Sequence, residues 1–289
     1  LRRHSYYWPT IFKDCIEYAK GCQACQKHGT IRHVPITDLH TIVKPWPFRG
    51  WAMDMMGKIH PPSSKHHCII LVATDYFTKW VKAKPYKAVD QTEVIGFIKD
   101  SIHRFGIPQT ITVDNGTVFD GEMVRSFMAE FGISLVNSTP YYAQANGQVE
   151  SSNKSLKKEI QKVVEDNPRD WRNLLLDVLW AYRTSPRSST GVTPYALVYG
   201  HDAVLPVEIN VKSLRVRCQD QLDPEQYHQS MCLELEGIDE ARILALNIIL
   251  FQKKKAAKNY NKKVKHIGFD EGDLVCKTIL PIGIKSHKF

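Results

Sequence analysis

No hydrophobic run in this 289-residue sequence approaches the ~18 residues that a membrane-spanning helix requires. The longest candidates, around residues 68–73 and 248–251, are much shorter. This excludes anchoring through such a helix, and no membrane partner is expected. The sequence also has no internal repeat, and its composition of 43% hydrophobic and 24% charged residues excludes a fully disordered chain.

Cysteines are few, and acidic residues are outnumbered. The seven cysteines are scattered apart from one Cys-x-x-Cys pair, and their odd number favours an intracellular, reducing environment. Thirty Asp and Glu face 39 Lys and Arg, which gives a net charge of +9 and a pI near 9.1. Such an excess favours a polyanionic partner.

Hydrophobic periodicity predicts an α/β fold with a sheet of mixed strand direction. Three strand-like runs come first, and helices then alternate with strands. The predicted strands are Trp51–Ile59, His67–Thr74, Lys79–Ala83, Thr110–Val113 and Ile133–Asn137, and the predicted helices are Gln91–Phe105, Glu122–Phe131, Gly147–Asp166, Arg169–Arg183 and a long one from Pro224 to about Tyr260.

Three carboxylates occupy positions that suit catalysis. Asp54 interrupts an apolar strand, Asp114 ends the strand TITV, and Glu150 lies in the first turn of a helix, with 35 residues between it and Asp114. Three converging carboxylates repel one another unless hard divalent cations lie between them, and two such cations can drive phosphodiester chemistry. Taken singly, each residue has a structural alternative as a strand-end ion pair, a turn residue or a first-turn acid.

The surroundings of these residues resemble a known family. The stretches YYWPT, CQACQ, WAMDMMG, VDNGTVF and YYAQANGQVESSNKSLKK, together with the segment from Trp171 to Gly200, are similar to the integrase region of gypsy-class LTR retrotransposon polyproteins, which are of retroviral type. The resemblance implies an RNase H-like core in which Asp54, Asp114 and Glu150 bind two Mg²⁺ or Mn²⁺ ions. The implied reactions are 3′-end processing of element DNA and strand transfer into target DNA.

The resemblance also divides the chain into four parts. Residues 1–45 are a remnant of a helical zinc-binding domain, 46–205 the catalytic core, 206–265 a linker with a long basic helix, and 266–289 the start of a small β-barrel. Both terminal domains are expected to be truncated, as if the chain were an excerpt of a longer polypeptide.

Several residues are predicted to bind double-stranded DNA, both the element ends and the target. Helical spacing places Lys154 and Lys157 beside Glu150, although Glu150 and Lys154 also form an ordinary i,i+4 pair. Tyr141 and Gln144 match a DNA-contacting loop of the family, with core packing and solvent exposure as the alternative. A lysine run without acids is interpreted as a phosphate-binding segment rather than a solvated helix end, and its candidate residues are Lys253, Lys254, Lys255, Lys262 and Lys263.

The cysteine pair has the spacing of a zinc half-site. In the family two upstream histidines complete the site with residues matching Cys22 and Cys25, but here only His4 precedes them, and it is not at a ligand position. We therefore expect Zn²⁺ only in a complete amino-terminal domain. Replacement ligands at His28 and His33 are the alternative.

Other functions remain possible from these residues. One alternative is a catalytically silent DNA-binding remnant or domesticated fragment, and another is an RNase H-like nuclease or transposase. The resemblance further implies a homo-oligomer that works in the nucleus, with a host tethering factor that the sequence does not identify.

Overall fold

The computed structural model describes residues 7–21, 43–114, 116–137, 156, 158–163, 165–211, 223–262 and 264. The chain divides into two compact units. The terminal unit comprises Leu1–Asp38 and Tyr260–Phe289, and the core unit comprises Leu39–Asn259. Within the terminal unit, helix α1 covers Ile11–Gly21, and Asp14 accepts hydrogen bonds from Trp8 Nε1 at 2.6 Å and Thr10 Oγ1 at 2.8 Å.

The core unit contains a mixed five-stranded sheet, as the sequence predicted. Its strands are β1 (Gly50–Met56), β2 (Ile69–Asp75), β3 (Val81–Tyr86), β4 (Thr110–Val113) and β5 (Ser134–Asn137). They are ordered β3-β2-β1-β4-β5. The β1–β2 and β2–β3 pairs are antiparallel, whereas the β1–β4 and β4–β5 pairs are parallel. Strand β1 is therefore central.

Seven further helices are seen in the described part of the core unit. They are α2 (Gln91–Phe105), α3 (Glu122–Glu130), α4 (the described residues of 156–166), α5 (Trp171–Thr184), α6 (Pro194–Tyr199), α7 (Pro206–Val211) and α8 (Pro224–Asn261). Helices α2, α3, α5 and α8 agree with the predicted bounds to within two residues, the described part of α4 lies within the predicted Gly147–Asp166, whose start is outside the described residues, and α6 and α7 were not predicted. Among the described residues, no helix combines the length and apolarity that crossing a membrane would require.

Local sequence fixes α2 well. Asp90 accepts hydrogen bonds from the backbone N–H groups of Thr92 and Glu93, and the Glu93 carboxylate accepts one from the Asp90 N–H. This capping box satisfies N–H groups that the first helical turn leaves free. The helix ends at Gly106, whose φ of +82° suits a residue without a Cβ.

Both faces of the sheet are buried under helices. Alternate strand residues point to opposite faces, so each face has its own hydrophobic cluster. One cluster joins β1 and β2 to α2 and α3 through Trp51, Met53, Leu71, Val94, Phe97, Val124 and Phe127. The other joins them to α4 and α5 through Met56, Ile70, Val72, Leu156, Ile160, Trp171, Leu175 and Tyr182.

A buried carboxylate holds the turn between β2 and β3. Asp75 accepts hydrogen bonds from the Thr78 N–H and Oγ1, both at 2.7 Å, and from the Phe48 N–H at 3.0 Å. Burial raises the pKa of Asp75 to about 6, although these hydrogen bonds oppose the rise. Because residues 76–80 belong to this turn, β3 begins at Val81 rather than at the predicted Lys79.

The carboxyl-terminal half of α8 packs on the segment around α6. Arg242 Nε donates a hydrogen bond to the Leu197 carbonyl at 3.2 Å, and Gln252 Nε2 donates one to the Ser188 carbonyl at 2.6 Å. Ala245, between them, is buried. This half of α8 is therefore part of the core unit rather than a free linker.

Candidate active site

Strand β1 positions the first predicted catalytic carboxylate. Asp54 is half-buried, lies opposite Val72 of β2, and its Oδ1 accepts a hydrogen bond from the Met55 N–H at 2.8 Å. Because side chains alternate along a strand, Asp54 shares its face of the sheet with Ala52 and Met56. That is the face covered by α4 and α5.

The second carboxylate lies directly after β4. Asp114 is exposed, and its Oδ1 accepts a hydrogen bond from the Gly116 N–H at 3.2 Å. Strands β1 and β4 are parallel, with Ala52 opposite Thr112. The observed pairs end at Ala52 and Thr112, two residues before Asp54 and Asp114. Continued in the same register, they would set these two acids, which are 60 positions apart in the sequence, at the same level of the sheet.

Helix α4 packs on the face that carries Asp54. Leu156 is fully buried and Ile160 nearly so, in the cluster that includes Met56. Glu150 lies outside the described residues, six positions before Leu156. The described part of the helix that Glu150 was predicted to open therefore lies on the face where the third carboxylate is needed.

The donor set suits a hard divalent cation. Carboxylate oxygens are the ligands that Mg²⁺ and Mn²⁺ prefer, and Asp54 and Asp114 supply them from neighbouring strands. Within the described ranges, no group of three or more His, Cys, Asp or Glu residues is arranged to hold a metal ion. Two of the three predicted ligands are described, and they fit as one side of such a site.

The predicted phosphate-binding lysines differ in their surroundings. Lys254, Lys255 and Lys262 are exposed, the last in the terminal unit. Lys253 is half-buried, and burial lowers its pKa to about 8. Its charge, after burial, also helps to lower the pKa of the buried Lys79.

A second group of cations lies beyond the end of β1, and sequence reasoning did not single it out. A cavity of about 560 Å³ is lined there by Lys58, His66 and Lys87 among other residues. Beside it, burial and the charges of Arg172, Lys87 and Lys65 lower the pKa of His67. The available signal was the cluster of basic residues in the sequence between β1 and β2.

The remaining predicted site residues lie outside the described part of the chain. They are the third carboxylate Glu150, the DNA-binding candidates Tyr141, Gln144, Lys154, Lys157 and Lys263, the zinc ligands Cys22 and Cys25, and their alternatives His28 and His33. Their predicted roles stay predictions.

Comparison with known proteins agrees with this picture. The integrase core domain model matches residues 45–143, and the integrase zinc binding domain model matches residues 1–30. The Pro-Pol polyprotein of feline foamy virus is 29% identical over 204 residues, which cover 71% of this chain and 17% of that polyprotein. Gypsy retrotransposon integrase-like protein 1 of Bos taurus is 26% identical over 215 residues, covering 74% of this chain and 42% of the relative.

The chain therefore spans less than half the length of either relative. A solved structure of the simian T-cell lymphotropic virus intasome in complex with PP2A regulatory subunit B56 gamma contains a similar chain, with 24% identity and a TM-score of 0.49 over 67% of this chain and 68% of that one. The five-stranded mixed sheet lies within residues 45–143, the part of the chain that the integrase core domain model matches. The zinc-binding and core domain matches follow one another in chain order, and the chain is similar to retroviral-type integrases, including those of gypsy-like elements.

Proposed function

We propose that this chain is the integrase part of a gypsy-class retrotransposon polyprotein and acts as a metal-dependent polynucleotidyl transferase. The main support is the parallel pairing of β1 with β4, whose register, continued by two residues, would set Asp114 opposite Asp54. The position of Glu150, separated from Asp114 by 35 intervening residues and shortly before the packed part of α4, adds to it.

The proposed reaction has two steps at phosphorus. In 3′-end processing, a water oxygen forms a bond to phosphorus, and the bridging bond to the 3′ oxygen breaks, which frees a 3′-hydroxyl. In strand transfer, that hydroxyl attacks a target phosphodiester in line, its proton passes to solvent, and the displaced 3′ oxygen takes up a proton. Divalent cations bound by the three carboxylates would activate the attacking oxygen and stabilise charge on the leaving one.

DNA is the proposed substrate for both steps. Lys154 and Lys157 are proposed to contact phosphates of the element end, with Tyr141 and Gln144 contributing from the preceding segment. Lysines of the run at 253–263 are proposed to add contacts that do not depend on sequence, since a phosphate backbone is recognised largely through its charge. A nuclear location and a homo-oligomeric assembly complete the proposal.

A joining assay with a matched carboxylate control tests this function. The chain is incubated with a labelled duplex that mimics an element end, or with a branched disintegration substrate, in Mg²⁺ or Mn²⁺. Asp114→Asn should abolish the metal-dependent products because it removes a ligand. Asp120→Asn should keep them, since this nearby carboxylate is engaged by the side chains of Arg125, at 2.7 Å, and Asn137, and it is not a predicted metal ligand.

The products also separate the alternatives. Joined or resealed strands that disappear in Asp114→Asn support a transferase. Cleaved strands without any joined product would favour a nuclease. DNA binding without metal-dependent chemistry on either substrate would favour a silent DNA-binding protein, and near-normal joining by Asp114→Asn in Mn²⁺ would refute the assignment of that residue.

A further inference from the structure

The charges of α8 are separated along its length. The acids lie in its first half and are Glu225, Glu234, Glu236, Asp239 and Glu240, whereas the lysines of its last turns within the core unit are Lys253, Lys254, Lys255 and Lys258. A helix dipole favours this polarity, but only within the first and last turns. Glu236 and Glu240 lie three to four turns from the start of the helix, so the dipole does not account for them.

A stripe of apolar residues on α8 faces solvent. Leu233, Leu244 and Phe251 are 68%, 63% and 69% exposed. At about 100° per residue they lie within roughly 20° of one another, and about 100° to 120° away from Ala245, which faces the core unit. This outer stripe is distinct from the side of the helix that packs around α6.

A two-fold rotation would place the apolar residues of this stripe against apolar residues of a second α8, and its acidic residues against lysines. We propose that α8 pairs antiparallel with α8 of a second copy of this chain, about an axis between residues 247 and 248. Leu244 then faces Phe251 of the partner subunit, and Glu240 faces Lys255 of the partner subunit. Glu236 comes within one residue of the register of the partner's Lys258. The symmetry repeats each contact, as in an isologous dimer.

The opposite orientation does not have these contacts. A parallel pair would set Glu236 and Glu240 against the same residues of the partner, and Lys255 against its own copy. Like charges opposed in this way destabilise a helix pair. The apolar stripe alone would accept either orientation, so the charges select the antiparallel one.

This pairing does not depend on the proposed catalysis. It involves none of the three carboxylates, and it is measured without DNA or divalent metal, so that phosphate does not compete with carboxylates for Lys255. If the joining reaction failed, the proposed pairing of α8 would be unaffected. If the pairing failed, the proposed joining reaction would be unaffected.

Site-specific crosslinking gives the first test. In a chain carrying Cys232→Ser, Asn247→Cys is treated with a short bismaleimide, and the product is compared with that of the Cys232→Ser parent. A crosslinked dimer above the parent background is expected, because residue 247 lies near the proposed axis. Leu233→Cys is the matched control: its copy would lie ~43 Å away along the paired helices, beyond the reach of the reagent.

Charge reversal gives the second test. Glu240→Lys alone and Lys255→Glu alone should each abolish the 247 crosslink, and combining both changes in one chain should restore it. Circular dichroism checks that each variant remains folded. Crosslinking at 233 equal to that at 247, no crosslink at 247, an undiminished crosslink in Glu240→Lys, or no recovery in the double variant would each overturn the proposed pairing.

Discussion

Truncation of Leu156 measures how firmly α4 is held on the sheet near the candidate site. Its side chain is fully buried between the strands and α5. Leu156→Ala removes the equivalent of three methylene groups, or about 2.4 kcal/mol of transfer free energy, and leaves a cavity. The free energy of unfolding should fall by about 3 to 5 kcal/mol. Because Glu150 lies six positions earlier, joining activity should fall as well.

Urea denaturation followed by circular dichroism measures this loss, and the joining assay measures its effect on chemistry. Leu176→Ala is the matched control, since Leu176 lies on α5 but is 70% exposed. Its change should stay within about 0.5 kcal/mol. A loss below about 1 kcal/mol in Leu156→Ala, comparable to the control, would refute the packing of α4 on the sheet.

Three further changes have separate outcomes. Lys154→Glu combined with Lys157→Glu should flatten the log–log salt dependence of DNA-end binding by up to about two units, and an unchanged slope would place the DNA elsewhere. Lys253→Met should raise the melting temperature at pH 7, because burial lowers the lysine pKa from 10.5 to about 8 and so penalises its charged form in the folded state. Wild-type stability should then rise with pH between about 8 and 10.5, so that the melting temperatures of the wild type and of Lys253→Met converge. A difference in melting temperature that stays constant over this pH range would contradict the lowered pKa of Lys253. Gly191→Ala should destabilise the core unit by about 1 to 3 kcal/mol in urea, since Gly191 has a φ of +79° and an added Cβ would lie 2.8 Å from Ile248 Cδ1; an unchanged midpoint would mean that α8 moves away readily.

Local signals predicted the elements whose ends are fixed by local chemistry. Helix α2 has the bounds expected from its periodicity because Asp90 caps its start and Gly106 ends it. The predicted start of β3 was wrong, because a contact between Asp75 and Thr78 converts the preceding residues into a turn. The strand order was not predictable from periodicity, since pairing between distant strands leaves no pattern in either strand alone.

In the candidate site, too, some features could be predicted from local sequence and others depend on contacts that the sequence does not show. Asp54 was singled out as a carboxylate inside an apolar strand, yet Asp75, which ends the next apolar strand, meets a similar description. The two differ in the residues that come after them: Asp75 has Thr78 three positions later, a spacing at which a side-chain oxygen closes a turn on itself. Asp54 is instead followed by two further strand residues, Met55 and Met56, and no such turn closes on its carboxylate. An acidic residue in a strand that is followed by such a turn is therefore better explained by a structural role.

The sheet order explains why a central strand carries one acid and its neighbour the other. Helix α2 connects β3 at one edge to β4 on the far side of β1, so that β4 enters the sheet parallel to β1. Since parallel strands bring their carboxyl ends to the same edge, Asp114, directly after β4, lies at the edge of the sheet toward which β1 also runs. The third acid cannot come from the next strand, because β5 lies on the other side of β4 from β1. A helix packed across the face, as α4 is through Leu156, provides a route for a carboxylate to reach both strands at once.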